Sequence, residues 1–70
     1  MNKKHRIEEI TQSIENEIEK MIQEEDKKFF TFVLNMYESQ RKSFSYFQTL
    51  LEYIKIRRFY LQQTEKSEVI

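Results

Sequence analysis

Glycine, proline and cysteine are all missing from these 70 residues. Without cysteine there is no disulfide staple and no thiolate to hold zinc or attack a substrate. Without glycine there is no phosphate-cradling loop, and no residue that enters the left-handed region at no steric cost. Without proline nothing obliges a helix to stop. Histidine occurs once, at His5, so a metal site would have to be built from carboxylates without their usual imidazole partners. No apolar run approaches the roughly 18 residues of a membrane span. The basic start, Met1 to Arg6, leads into Ile7-Glu8-Glu9-Ile10 rather than the apolar core of a signal peptide. The expectation is an intracellular, cytoplasmic chain.

What is present is 39% hydrophobic and 34% charged, with a formal net charge of zero. That is too apolar for a disordered tail. The balance argues against nucleic acid as a partner, because phosphate affinity needs a surplus of Lys and Arg. The charge is unevenly spread: residues 1 to 28 hold eight acids and six bases, whereas residues 29 to 64 hold only Glu38 and Glu52 against Arg41, Lys42, Lys55, Arg57 and Arg58.

Ile7, Ile10, Ile14, Ile18, Met21 and Ile22 follow one another at mostly three or four positions with charge between them, the stripe of an amphipathic helix. From Phe29 onward the pattern widens. Val33, Phe47, Ile54 and Leu61 share one seven-residue track interrupted by Gln40; Phe30, Tyr37, Phe44 and Leu51 share a second, and Tyr46, Tyr53 and Tyr60 a third. Tracks this broad predict contact with more than one neighbouring helix, since a two-stranded coil needs only a narrow seam. Spacings of eleven, as in Ile7, Ile18 and Phe29, or Ile10, Met21 and Phe32, or Ile22, Val33 and Phe44, keep one face in phase along a nearly straight helix.

The fold expected is therefore all-α, a single helical segment over 1–70. It is read as one long amphipathic helix over about 3–63 that associates in a helical bundle, with residues 64–70 fraying. At 1.5 Å per residue such a rod is about 90 Å long. A bend near Ser39 to Ser45 is compatible with it, and there Ser45 and Gln48 have capping-box spacing. The alternative is a helical hairpin turning near residues 23–28. Glu24 lies four residues before Lys28, an ion-pair order that favours helix instead.

Chemistry is sparse. Glu24, Glu25 and Asp26 are consecutive and point in different directions on a helix, so they read as a solvated face rather than a catalytic pair. No nucleophile motif is present, and the chain reads as non-enzymatic, with no cofactor. The aromatics at helical spacing read as packing surface, with Phe29, Val33, Met36, Phe47, Leu50, Leu51 and Ile54 as the expected helix-packing interface. Lys27, Lys28, Arg41, Lys42, Lys55, Arg57 and Arg58 are candidate contacts to anionic lipid headgroups, each worth about 1 kcal/mol near a charged surface, or else a hydrated flank.

Between Ile10 and Glu52 the chain carries Ile10, Ile14, Glu17, Ile18 and Met21, then Lys27 and Phe29, then Thr31, Phe32, Val33 and Leu34, then Glu38, Ser39 and Gln40, and finally Leu51 with Glu52. In this order it resembles, without a gap, the last long helix of the BAR domain of sorting nexins. Leu51 stands where many members have an aromatic, and these 70 residues hold neither the two earlier BAR helices nor the phosphoinositide-binding domain. The resemblance implies dimerisation through helix packing and peripheral binding to curved, anionic endosomal membranes. The residues themselves leave a second reading open, a small self-associating helical regulator that binds a protein partner.

Overall fold

The aliphatic stripe starting at Ile7 lies on helix α1 (Lys3–Glu19), and the aromatic-rich remainder is divided between α2 (Glu24–Ser39) and α3 (Phe44–Glu68). The computed structural model describes residues 3–68, with side chains described from 5 to 63. Within that range all regular structure is helical. The expected all-α class holds, but the single rod does not: the chain reverses at 20–23 and again at 40–43.

Side-chain pairs fix the directions. On α2, Asp26, Phe30 and Tyr37 meet Arg57, Tyr53 and Tyr46 of α3, so each step along α2 is matched by an equal step back along α3. On α1, Arg6 meets Phe44 and Glu17 meets Arg58, so α1 runs parallel to α3. The α1–α3 contact is the most extensive of the three. The core between the helices holds Ile10, Ile14, Ile18, Met21, Phe30, Leu34, Phe47, Leu50 and Ile54, each at most 8% exposed. Burying such side chains is worth about 1.5–3 kcal/mol each.

That burial explains why the rod folds. A straight helix leaves its whole apolar stripe in water until a partner arrives, whereas two reversals let α1 and α2 cover the same stripe of α3. The eleven-residue phase then breaks at the first reversal. Ile10 and Met21 are buried, but Phe32, the next member of that series, is 66% exposed.

Neither turn uses glycine. At the first, the Lys20 N–H donates to the Glu17 carbonyl at 3.2 Å and the Met21 N–H to that of Ile18 at 3.0 Å, tightening the last turn of α1 into 3₁₀ form. Met21 plugs the core while Ile22 swings outward, 63% exposed. Gln23 is the extended residue before α2, so residues 24–28, placed in the turn by the hairpin reading, are the first turn of a helix. The three acids there, Glu24, Glu25 and Asp26, suit the positive end of its dipole.

At the second turn the Lys42 N–H donates to the Tyr37 carbonyl at 2.9 Å and the Arg41 N–H to that of Glu38 at 3.2 Å. This is the Schellman pattern, which needs a left-handed residue at the position Arg41 occupies. Arg41 has φ 53°. A residue with a β-carbon adopts that conformation at a cost of about 1–2 kcal/mol, small beside the burial that the turn permits. Ser45 lies inside the first turn of α3, its hydroxyl 3.0 Å from that of Ser43, so the Ser45–Gln48 spacing is not a cap.

The fold measures 49 × 22 × 15 Å with a radius of gyration of 13.6 Å, against about 11 Å for an ordinary globule of this length. The excess comes from α3. Its 25 residues span about 37 Å, whereas the 17 and 16 residues of α1 and α2 span only about 25 Å each. The side chains of the 64–70 tail, where fraying is expected, lie outside the described ones.

Candidate functional site

The most unusual surface lies along the α2–α3 seam. Phe30 is buried between the helices at 2% exposed. Two exposed rings lean on it from either side: Phe29 of α2 with centroids 5.2 Å apart, edge-on, and Tyr53 of α3 at 5.7 Å. Further along, Tyr37 packs edge-on against both Tyr46 and Phe47. Phe32 follows Phe29 by three residues and Ile56 follows Tyr53 by three, so each extends its row on the same flank. Phe32 and Ile56 are 66% and 67% exposed. Tyr53, Ile56, Arg57 and Tyr60 line a shallow depression on α3.

The local reason is that α3 is apolar on more than one side. Phe47, Leu50 and Ile54 point into the core, yet Tyr53, Ile56, Phe59 and Tyr60 remain largely exposed. A helix apolar on most of its circumference ordinarily lies buried, and α1 and α2 cover only one side of this one.

The seven residues expected to form a packing interface divide accordingly. Phe47, Leu50 and Ile54 are internal to the chain's own core, and Val33 and Leu51 are half-buried against it. Met36 is half-buried as well. Phe29 is 58% exposed and belongs to the outer face. Phe32, Tyr53 and Ile56 join it there. The broad tracks of the sequence indicated a second neighbour for these helices, but only the position of the turns shows which residues remain exposed.

The seven candidate lipid-binding cations do not form one face. Arg58 donates a hydrogen bond to the Glu17 carboxylate, joining α3 to α1, with side chains 25% and 15% exposed. Arg57 lies 3.5 Å from Asp26, joining α3 to α2. The Asp26 Oδ2 facing it is buried and accepts no hydrogen bond, so this contact is an ion pair only. Asp26 is thus an internal partner rather than part of a solvated face. Lys27 pairs with Glu24 at 3.8 Å, in place of the Glu24–Lys28 pair the spacing suggested. Lys42 sits 4.9 Å from the centre of the Tyr46 ring. Lys28, Arg41 and Lys55 are exposed, on α2, in the second turn and on α3.

His5 is exposed and 2.9 Å from Glu9. Among the described residues no three His, Asp or Glu side chains are grouped to hold a metal ion, and no helix is long and apolar enough to cross a membrane. A groove lined by Ile7, Glu8, Glu38, Arg41, Lys42 and Phe47 opens where the second turn meets α1. It mixes two acids with two bases and offers no nucleophile. Comparison with known proteins adds no relative: no family model matches the chain, and no curated protein and no solved structure does.

Proposed function

We propose that this chain is a non-catalytic helical association module, whose task is to dock onto an apolar protein surface through the outer face of α2 and α3. One observation carries this reading. Phe29, Phe32, Tyr53 and Ile56, all between 57% and 67% exposed, flank a single seam instead of being scattered singly, and contiguous apolar patches of this kind mark interaction sites. Aromatics that combine large area with few rotatable bonds are the usual anchors of such interfaces.

A photo-crosslinking residue placed at Phe32 or Ile56 should capture a protein, and one placed at Gln12 on the outer side of α1 should not. Equal capture from both sides, or none from either, would remove the reading.

The peripheral membrane role in endosomal trafficking implied by the sorting-nexin resemblance is a separate proposal. It draws on Lys28, Arg41 and Lys55, exposed and, among the described residues, without a carboxylate in ion-pair range. Co-sedimentation with vesicles tests it. Equal binding to anionic and neutral lipid would dismiss it.

A further inference from the structure

Resting on the association reading, we infer that the occupant of the α2–α3 face is a second copy of this chain, packed antiparallel about a twofold axis near Val33. Two features single out this partner.

The first is area. An aromatic side chain offers about 150–250 Å². At the exposures of Phe29, Phe32 and Tyr53, 58%, 66% and 57%, each presents roughly 100–140 Å². With Ile56 and the 47% exposed Tyr46 beside them, the face offers roughly 500–600 Å² of apolar surface per copy. A standard interface buries about 800 Å² per partner, and homodimer interfaces are about 65% apolar. The face supplies the apolar share of one such interface.

The second is charge. Glu25, Phe29, Phe32 and Met36 recur at steps of four, three and four, so they form one stripe along α2. The stripe opens on an exposed carboxylate, Glu25, which has no salt-bridge partner among the described residues, and beyond its far end lie Arg41, likewise unpaired among them, and Lys42 at the Tyr46 ring. An isologous contact sets residue i against j and j against i. Antiparallel about Val33, Glu25 of each copy falls level with Arg41 of the other, and Phe29 level with the Met36–Tyr37 step. Parallel stacking would instead set Glu25 against Glu25 and Arg41 against Arg41. Glu25 at one end of the Glu25–Met36 stripe and Arg41 beyond the other favour the antiparallel sense, although Lys28 beside the stripe softens the acid end. Fifteen residues, the rest of α2 and its cap, lie between the two charges, about 24 Å, well beyond screening length, so they do not pair within one copy.

The test is sedimentation equilibrium of the full chain over a concentration series, with helicity followed by circular dichroism. The wild type should fit a monomer–dimer equilibrium. Phe32→Glu and Ile56→Glu, both at exposed positions and therefore expected to keep wild-type helicity, should each leave only monomer. Glu25→Lys should weaken the dimer about tenfold by setting like charges together, and adding Arg41→Glu should restore it. A chain that stays monomeric throughout, or a dimer indifferent to Phe32→Glu and Ile56→Glu, overturns the inference. So does failure of the charge exchange to restore pairing. A monomeric chain whose crosslinker at Phe32 captures a different protein overturns the second copy while leaving the association reading standing; a monomer that captures nothing removes both.

Discussion

Replacing Arg41 by glycine should raise the stability of this protein, whereas in a continuous helix the same change would lower it. Arg41 holds φ 53° so that its own N–H and that of Lys42 can reach back to the Glu38 and Tyr37 carbonyls. The left-handed conformation costs a residue with a β-carbon about 1–2 kcal/mol. Glycine removes that cost but gives back about 0.5–1 kcal/mol, because its unfolded chain has more freedom to lose. The net expectation is a gain of about 0.5–1 kcal/mol, and for a domain of this size about 1 kcal/mol moves Tm by roughly 4–8 °C. Were residue 41 inside a helix, glycine would cost about 1 kcal/mol instead. Thermal melts by far-ultraviolet circular dichroism at low protein concentration, where self-association contributes nothing, decide the sign. Arg41→Lys, which keeps both charge and β-carbon, is the control and should leave Tm unchanged. An unchanged or lowered Tm for Arg41→Gly would refute the left-handed turn and the three-helix arrangement with it.

Glu24→Pro probes the first reversal. Glu24 is the first residue of α2, after an extended Gln23, where proline is well accommodated, so stability should shift by less than about 1 kcal/mol rather than fall by the 3 or more expected inside a helix; chemical denaturation measures it. Ile54→Ala and Ile56→Ala, two residues apart, should behave oppositely in the monomer. The first empties a fully buried site at a cost of about 2–5 kcal/mol, enough to abolish a cooperative melt in so small a domain; the second, 67% exposed, should stay within about 0.5 kcal/mol. Arg58→Ala should cost about 1–2 kcal/mol, more than an exposed pair is worth, because it takes the hydrogen-bond donor from the largely covered Glu17 carboxylate and leaves only the exposed Lys20, 3.6 Å away, beside it. Lys55→Ala on the exposed side of α3 should change little in the same denaturant titration.

The apolar spacing of Ile10, Ile14, Ile18 and Met21 names a stripe that is buried in the fold, and the absence of glycine and proline reads correctly as an all-helical chain. Both are local properties: the 3.6-residue period and helix propensity act within a few neighbours, whatever the rest of the chain does. Phe47, Leu50 and Ile54 were legible as apolar packing residues for the same reason, though their partner proved to be the chain itself. The second reversal falls inside the Ser39 to Ser45 stretch where the sequence allows a bend, but that either turn reverses the chain was not legible. Lys20 to Gln23 and Gln40 to Ser43 carry no residue that helix would reject, and Arg41 enters the left-handed region only because folding back gains more burial than the strain costs. The Glu17–Arg58 pair, 41 residues apart, is invisible to any window of sequence. The same holds for the candidate site. Aromatic tracks announce sticky helices, but that Phe30 goes inside while Phe29 and Phe32 face out follows from how α2 is rotated against α3. Helical character was settled locally, residue by residue. Which apolar side chains are left for a partner depends on a competition for the same buried surface among distant segments, and only the three helices together resolve it.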